Sequence, residues 1–237
     1  MGRLDQSERQ TLIRRSFLFR DVAQPILEQL SALSVTKHLE RRETLLSRGD
    51  EGDALYVVVE GLVRIWVGSE SGKELTFSMM EPGDVFGEIA LLDGLPRTAN
   101  ATAQEATLLL VIQRSAFLSV LEGEPTLARH IIELLCERMR LKTDLLSDFA
   151  FADLPVRLAR KLDDLVTAHG EIDGNVARLG RRFSQTELAQ MLGVSREAIN
   201  KQLAAWSHKG IVSTEEGGLT VLNLSGLRAQ GAPEHSV

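Results

Sequence analysis

The stretch FGEIALLDGLPRTANATA, Phe86 to Ala103, decides how the rest of this 237-residue chain is read. Gly87 has no Cβ, so the backbone there can come close to a ligand. Glu88 follows, and Ile89-Ala90-Leu91-Leu92 predicts a short helical turn. Amides at the start of such a turn have no intrahelical acceptor and suit an anion. Asp93-Gly94-Leu95-Pro96 then reverses the chain and delivers Arg97, Thr98 and Ala99. Arg97 offers a planar fork of donors that matches phosphate. Thr98 adds a hydroxyl that donates and accepts. A carboxylate beside a phosphate would be repelled by it, so Glu88 is expected to face a donor such as a sugar hydroxyl. Taken alone, the stretch is also compatible with ordinary strand-turn-strand structure.

Working outward, composition sets bounds. Apolar residues make up 43% and charged residues 25%, which is ordinary globular composition. One cysteine, Cys136, leaves no disulfide framework and no cysteine-ligated metal cluster. The five histidines are scattered, and no metal site is expected. No apolar run reaches the length of a membrane span, and the N-terminus lacks a signal-peptide core, so the protein is expected in the cytoplasm. The net charge of −6 is uneven. Residues 1–153 carry 17 basic and 24 acidic side chains, or −7; residues 154–237 carry 10 and 9, or +1. Residues 176–210 carry six basic against two acidic, or +4, and local charge decides phosphate binding.

Residues 8–40 read as short helices. From Glu40 to Ile112 the pattern becomes short strands between Gly and Asp turns. Glu60-Gly61 predicts a hairpin between two apolar runs, Glu81-Pro82-Gly83-Asp84 another turn, and Leu108 to Ile112 a final buried strand. Short strands at this spacing predict an antiparallel roll or barrel. Pro125 to Ser147 predicts one long helix, with Pro125 at its first position. On it Leu127, Ile131, Leu134, Arg138, Leu141 and Leu145 are spaced 4-3-4-3-4, a heptad seam. Ile132, Leu135, Met139 and Leu146 form a second stripe, so that one stripe can cover the roll and the other meet a partner helix. Arg138 on the seam needs a counter-charge, and Glu88 is a candidate. Cys136 reads as a buried helix residue.

Phe149 to Pro155 reads as a connection, with Pro155 opening a further helix to about His169 and a hairpin or loop over 170–180. Ser184-Gln185-Thr186-Glu187 is a capping box opening a helix to Leu192. Gly193-Val194 turns, and Ser195 caps a second helix from Arg196 to about His208. Two short helices so joined form a helix-turn-helix, whose second helix enters the DNA major groove. Arg196, Glu197, Asn200 and Lys201 lie where side chains reach bases, while Ser195, Gln185 and Thr186 suit the backbone. Ile211-Val212-Ser213 and Leu219 to Leu222 flank Glu215-Glu216-Gly217-Gly218 as a wing hairpin, and a disordered tail is expected from Arg228.

The segments FGEIALLDGLPRTA and SQTELAQMLGVSREAINKQL carry a resemblance that spans nearly the whole chain. The first is similar to the phosphate-binding cassette of cyclic-nucleotide-binding domains, and the pair in this order resembles the CRP/FNR family of bacterial transcription regulators. The resemblance implies an α+β fold: an N-terminal β-roll (a cyclic-nucleotide-binding jelly roll) with helices over 1–123, a long dimerisation helix over 124–148, a hinge over 149–155, a C-terminal winged helix-turn-helix over 156–228 and a tail over 229–237. It implies a homodimer that binds palindromic double-stranded DNA, is gated by cAMP or cGMP without any other cofactor, and contacts RNA polymerase. It assigns Glu88 to the ribose, and Arg97, Thr98 and the amides of Glu88, Ile89 and Ala90 to the cyclic phosphate, with Phe86, Gly87 and Ala99 around them. It places Arg138, Lys142 and Thr143 against Glu88 and the base. Lys142 departs from the cAMP-responsive enterobacterial member, which carries threonine there, and Thr98 leaves cGMP open beside cAMP. No catalytic triad, P-loop or metal constellation suggests an enzyme. The other reading is a cyclic-nucleotide-binding regulatory module whose C-terminal helical domain does not read DNA.

Overall fold

The computed structural model describes residues 5–181, 183–214 and 218–232. Its contacts divide into two compact units. The first comprises the chain up to Val67 with Thr76–Arg140, and the second Gly68–Leu75 with the chain from Leu141 onward.

The first unit opens with α1 (Gln6–Arg15) and α2 (Gln24–Leu33). Asp5 and Glu8 close a capping box at the start of α1. The strands β1 (Val35–Leu39), β2 (Thr44–Leu46), β3 (Ala54–Glu60), β4 (Val63–Gly68), β5 (Glu74–Met80) and β6 (Val85–Phe86) follow. Then come the short helix α3 (Glu88–Asp93), β7 (Asn100–Ala103), β8 (Thr107–Gln113), α4 (Arg114–Leu121) and the long helix α5 (Pro125–Phe151). Two four-stranded sheets, ordered β1-β8-β3-β6 and β2-β7-β4-β5, make the roll.

β3 and β8 read as continuous apolar runs because both of their faces are buried. With period two, Leu55 and Val57 of β3 and Leu110 and Ile112 of β8 pack outward under Phe19, Leu27, Leu30 and Phe117 of the helical layer. The alternate residues, Tyr56, Val58, Leu109 and Val111, fill the roll with Val63, Phe86 and Ala101.

Three expectations change here. β3 and β4 do not form a hairpin but belong to different sheets, with Gly61 at φ +92° passing the chain across. A Cβ at Gly61 would lie 2.5 Å from Thr107 Oγ1, so tight packing on β8, not a two-strand turn, accounts for that glycine. Residues 35–39, read among short helices, are the edge strand β1, paired from Val35↔Val111 to Leu39↔Thr107. Helix α4, unanticipated, buries Phe117 and Val120 at i and i+3.

Helix α5 shows how a sequence stripe divides. Leu127 and Ile131 of the expected seam lie in the roll's core, and Leu135 packs against it. Ile132, Met139 and Leu146 are 62%, 68% and 69% exposed. With Cys136 and Thr143 they recur at 132, 136, 139, 143 and 146, the same 4-3-4-3 spacing, and all five are exposed. Leu141 of the expected seam is 61% exposed as well, so neither stripe is wholly covered, and Cys136, read as buried, is exposed.

The second unit contains α6 (Leu154–His169), the hairpin β9 (Gly170–Asp173) and β10 (Val176–Leu179), α7 (Gln185–Leu192), α8 (Arg196–His208), β11 (Val212–Ser213), β12 (Thr220–Val221) and α9 (Leu224–Gly231). One sheet, β11-β12-β10-β9, backs the helices. Glu215, Glu216 and Gly217, at the tip of the expected wing, lie outside the described residues, whereas its two strands pair as Val212↔Val221 and Ser213↔Thr220. Phe149 to Phe151, read as connection, complete the last turn of α5. The Phe149 ring covers the buried Arg157 guanidinium, with Cζ 4.0 Å from the ring centroid, and that contact favours the added turn. Arg228, expected in a disordered tail, lies in α9 and pairs with Asp163 of α6 at 2.8 Å. Leu224 and Leu227 bury that helix, and Asn223 caps it.

Candidate functional site

The strand β6 ends at Phe86, and the chain turns at Gly87 with φ +87° before α3 begins. A Cβ at Gly87 would fall 2.8 Å from Arg97 Nη1 and 3.1 Å from Ala54 O, so both conformation and close approach require glycine. Gly94, at φ +72°, ends the helix by returning its N–H to Ala90 O at 3.0 Å. The loop then carries Arg97 back beside the start of α3. Its backbone is pinned on both sides: Arg97 N–H donates to Asp50 O at 2.8 Å, and Gly49 N–H donates to Arg97 O at 2.9 Å.

The result is a solvent-open cleft of about 390 Å³. Phe86, Gly87, Glu88, Ile89, Ala90, Arg97, Thr98, Ala99 and Arg138 line it together. All were candidates from sequence. Leu46, Ile65, Asn100 and Ala101 complete the wall and were not anticipated. Leu46 lies in the roll's core and Ile65 packs against it, but nothing local in the sequence says which cavity they reach. Lys142 and Thr143 are absent from this lining. Arg138 is the α5 residue in the lining, and Lys142 and Thr143 belong to the second unit.

Two groups in the cleft are buried and incompletely partnered. Glu88 is 2% exposed. Its Oε1 accepts from Arg138 Nη1 at 2.7 Å, the pairing expected from sequence, and Arg138 also donates to Val85 O. Glu88 Oε2 has no hydrogen-bond partner among the described residues. Arg97 is 4% exposed. Its Nη1 donates to Gly87 O at 2.8 Å and its Nη2 to Ala54 O at 2.9 Å, leaving Nε buried and unpartnered among the described residues. No carboxylate among the described residues pairs with Arg97. Tyr56, also missed from sequence, lies beneath it, its ring centroid 5.6 Å from Arg97 Cζ. Burial pushes the Tyr56 phenol above its usual value, against the opposing pull of the Arg97 charge, and keeps it neutral.

The second unit presents another surface. Ser184 and Glu187 satisfy the expected capping box, Gly193 ends α7 at φ +63°, and Ser195 caps α8 by accepting from Ala198 N–H at 3.2 Å. Ile199, Leu203 and Trp206 bury one face of α8. Arg196, Glu197, Asn200 and Lys201 are exposed on the other, with 196/200 and 197/201 each one turn apart. Gln185 Nε2 donates to Asn200 Oδ1 at 3.4 Å, and Thr186 is exposed beside it, so the α7 start joins the α8 face. Hydrogen bonds from its own backbone amide and from Ser195, aided by Arg196, hold the Glu197 carboxyl below the usual range. At neutral pH it is an acceptor only.

Comparison with known proteins follows the same division. Residues 36–124 match the family model of the cyclic nucleotide-binding domain, and residues 156–230 that of the Crp-like helix-turn-helix domain. The chain is 30% identical over 204 residues to the CRP-like cAMP-activated global transcriptional regulator of Mycobacterium tuberculosis, covering 86% of this chain and 91% of that protein. It is 35% identical over 179 residues to the cyclic AMP receptor protein of Thermus thermophilus, covering 73% and 77%. Among solved structures it is similar in fold to a CooA mutant from Carboxydothermus hydrogenoformans, with a TM-score of 0.75 at 21% identity over 93% of this chain and 95% of that one.

Proposed function

We propose that this chain, which belongs to the CRP/FNR family of bacterial transcription regulators, binds cAMP in the Glu88–Arg97 cleft and, as a homodimer, binds an inverted-repeat DNA site in response. The observation that carries the reading is Arg97. A buried cation normally has a counter-ion. Here it has two carbonyls and a ring, beside a helix start whose first amides also favour negative charge. An anionic ligand supplies what is missing. Glu88 Oε2 accepts from a ligand hydroxyl, and a ribose joined to the phosphate offers one at the right end. The names of the relatives favour adenine as the base.

Titration calorimetry of the full chain with cAMP and with cGMP tests the effector. Micromolar or tighter cAMP binding, weaker for cGMP, is expected; no heat with either would overturn the reading. DNA affinity measured with and without saturating nucleotide tests the gating, because a ligand shifts an equilibrium only by its differential affinity for the two states.

The exposed α5 stripe supports the dimer. In a parallel two-fold pair, positions on the seam face their own counterparts. Cys136 is the sole cysteine and lies on that stripe. A short bis-maleimide should therefore link two chains through Cys136 in high yield, and Cys136→Ser should abolish the product. A monomer at micromolar concentration in sedimentation would remove the stripe as an interface.

For DNA, Arg196 suits guanine O6 and N7, and Glu197 the amino group of cytosine. Lys201 lacks the bidentate fork of arginine, so its contact discriminates less. Selection from random duplexes should return a palindrome with half-site centres about 34 Å apart and G:C pairs in each half. Arg196→Ala should relax that preference by roughly 1–3 kcal/mol per base pair while salt-sensitive binding persists. Recovery of no palindrome would exclude this use of α8.

A further inference from the structure

We propose that Tyr56 is a positioning residue for ligand capture, its ring fixing the plane in which Arg97 meets the nucleotide phosphate. The inference rests on the assignment of Arg97 to that phosphate.

Arg97 is seated on three sides. Two backbone carbonyls, Gly87 O and Ala54 O, take its terminal nitrogens at 2.8 and 2.9 Å. A planar cation held by two acceptors can still pivot about the line between them. Arg97 Cζ lies over the Tyr56 ring, 5.6 Å from its centroid, and this third contact restricts that pivot. The ring is itself held. It stacks on Phe86 with centroids 5.2 Å apart and planes 18° from parallel, and the two residues are direct partners across the β3–β6 ladder. The packing leaves no slack: a Cβ on Gly87 would lie 3.1 Å from Tyr56 Cδ2 as well as 2.8 Å from Arg97 Nη1.

All three supports are uncharged. A carboxylate would hold the guanidinium more strongly, but it would also neutralise the charge and compete with the phosphate. Carbonyls and a π face orient the cation while leaving its charge to attract an anion. The affinity of the cleft thus depends on an aromatic ring that the nucleotide need not touch.

The test is a double-mutant cycle read by titration of the full chain with cAMP. Tyr56→Leu should weaken binding roughly 5- to 30-fold, the span of a partly to fully desolvated cation–π contact. Tyr56→Phe keeps the ring and should restore affinity to within about threefold. In an Arg97→Ala background, Tyr56→Leu should have no further effect, because its action runs through Arg97. A merely structural tyrosine would weaken binding equally in both backgrounds, and that result overturns the proposal. So does wild-type affinity in Tyr56→Leu. If Tyr56→Leu does not melt cooperatively, Tyr56→Met, closer in volume, replaces it in the same cycle. Failure of the wild-type chain to bind either cyclic nucleotide would instead overturn the assignment of the cleft.

Discussion

Arg97→Ala should bind cAMP roughly 10- to 150-fold more weakly than the wild-type chain, the worth of a charge-assisted contact of about 1.5–3 kcal/mol. The effect is expected to be large because no unengaged second cation lines the cleft among the described residues. Arg138, the other arginine in the cleft, is engaged with Glu88 and Val85 O. The loss should appear in calorimetry or by displacement of a fluorescent nucleotide. It should be accompanied by a thermal melt close to wild type in the absence of ligand, since the variant loses two hydrogen bonds but also removes a buried charge that lacks a counter-ion. With saturating cAMP the wild-type melt should rise and the variant's should not, because ligand stabilises in proportion to its occupancy of the folded state. Unchanged affinity in a folded Arg97→Ala protein would mean that the phosphate lies elsewhere.

The second large effect is on stability. Arg138→Ala leaves the Glu88 carboxylate buried, with neither oxygen partnered by a side chain. Breaking a buried pair by removing one member costs roughly 3–5 kcal/mol, because the remaining charge stays desolvated. Arg138 is more open to solvent than Glu88, and the cleft admits water, so the lower end is expected. At about 2–4 °C per kcal/mol, the first unit should melt roughly 6–12 °C lower. Glu88→Gln combined with Arg138→Met should recover most of that loss, since no charge then remains buried. It should leave cAMP binding weak, because a neutral amide oxygen accepts a weaker hydrogen bond from a sugar hydroxyl than a carboxylate does. A shift below about 1 °C in Arg138→Ala would show that Glu88 finds water or another donor, and that the pair contributes little to the fold.

Much of this chain is local chemistry and was legible as such. The turn at Gly87, the reversal through Asp93 to Pro96, and the delivery of Arg97 and Thr98 depend on glycine conformation and spacing within eighteen residues. The capping box at Ser184, the turn at Gly193 and the cap at Ser195 are likewise short-range, and they placed Arg196, Glu197, Asn200 and Lys201 on one helix before any packing was known. The Glu88–Arg138 pair was also accessible, because a lone arginine on an apolar stripe asks for a counter-charge and few candidates exist.

What the tertiary structure alone decided is which of several equivalent faces is buried, and against what. Two heptad stripes run along α5, and periodicity cannot rank them; the core took Leu127 and Ile131 from one and Leu135 from the other, and left Cys136 exposed. Glu60-Gly61 has the composition of a hairpin turn, yet the chain changes sheets there because Gly61 packs against Thr107, forty-six residues away in sequence. The C-terminal turn of α5 and the helix α9 depend on Arg157 and Asp163 of another helix. Tyr56 is one more apolar residue of a buried strand until the roll closes and brings it beneath Arg97. A local pattern states which side chains can share a face, but only the closed chain determines what lies opposite, because the free energy that selects the face comes from contacts distant in sequence.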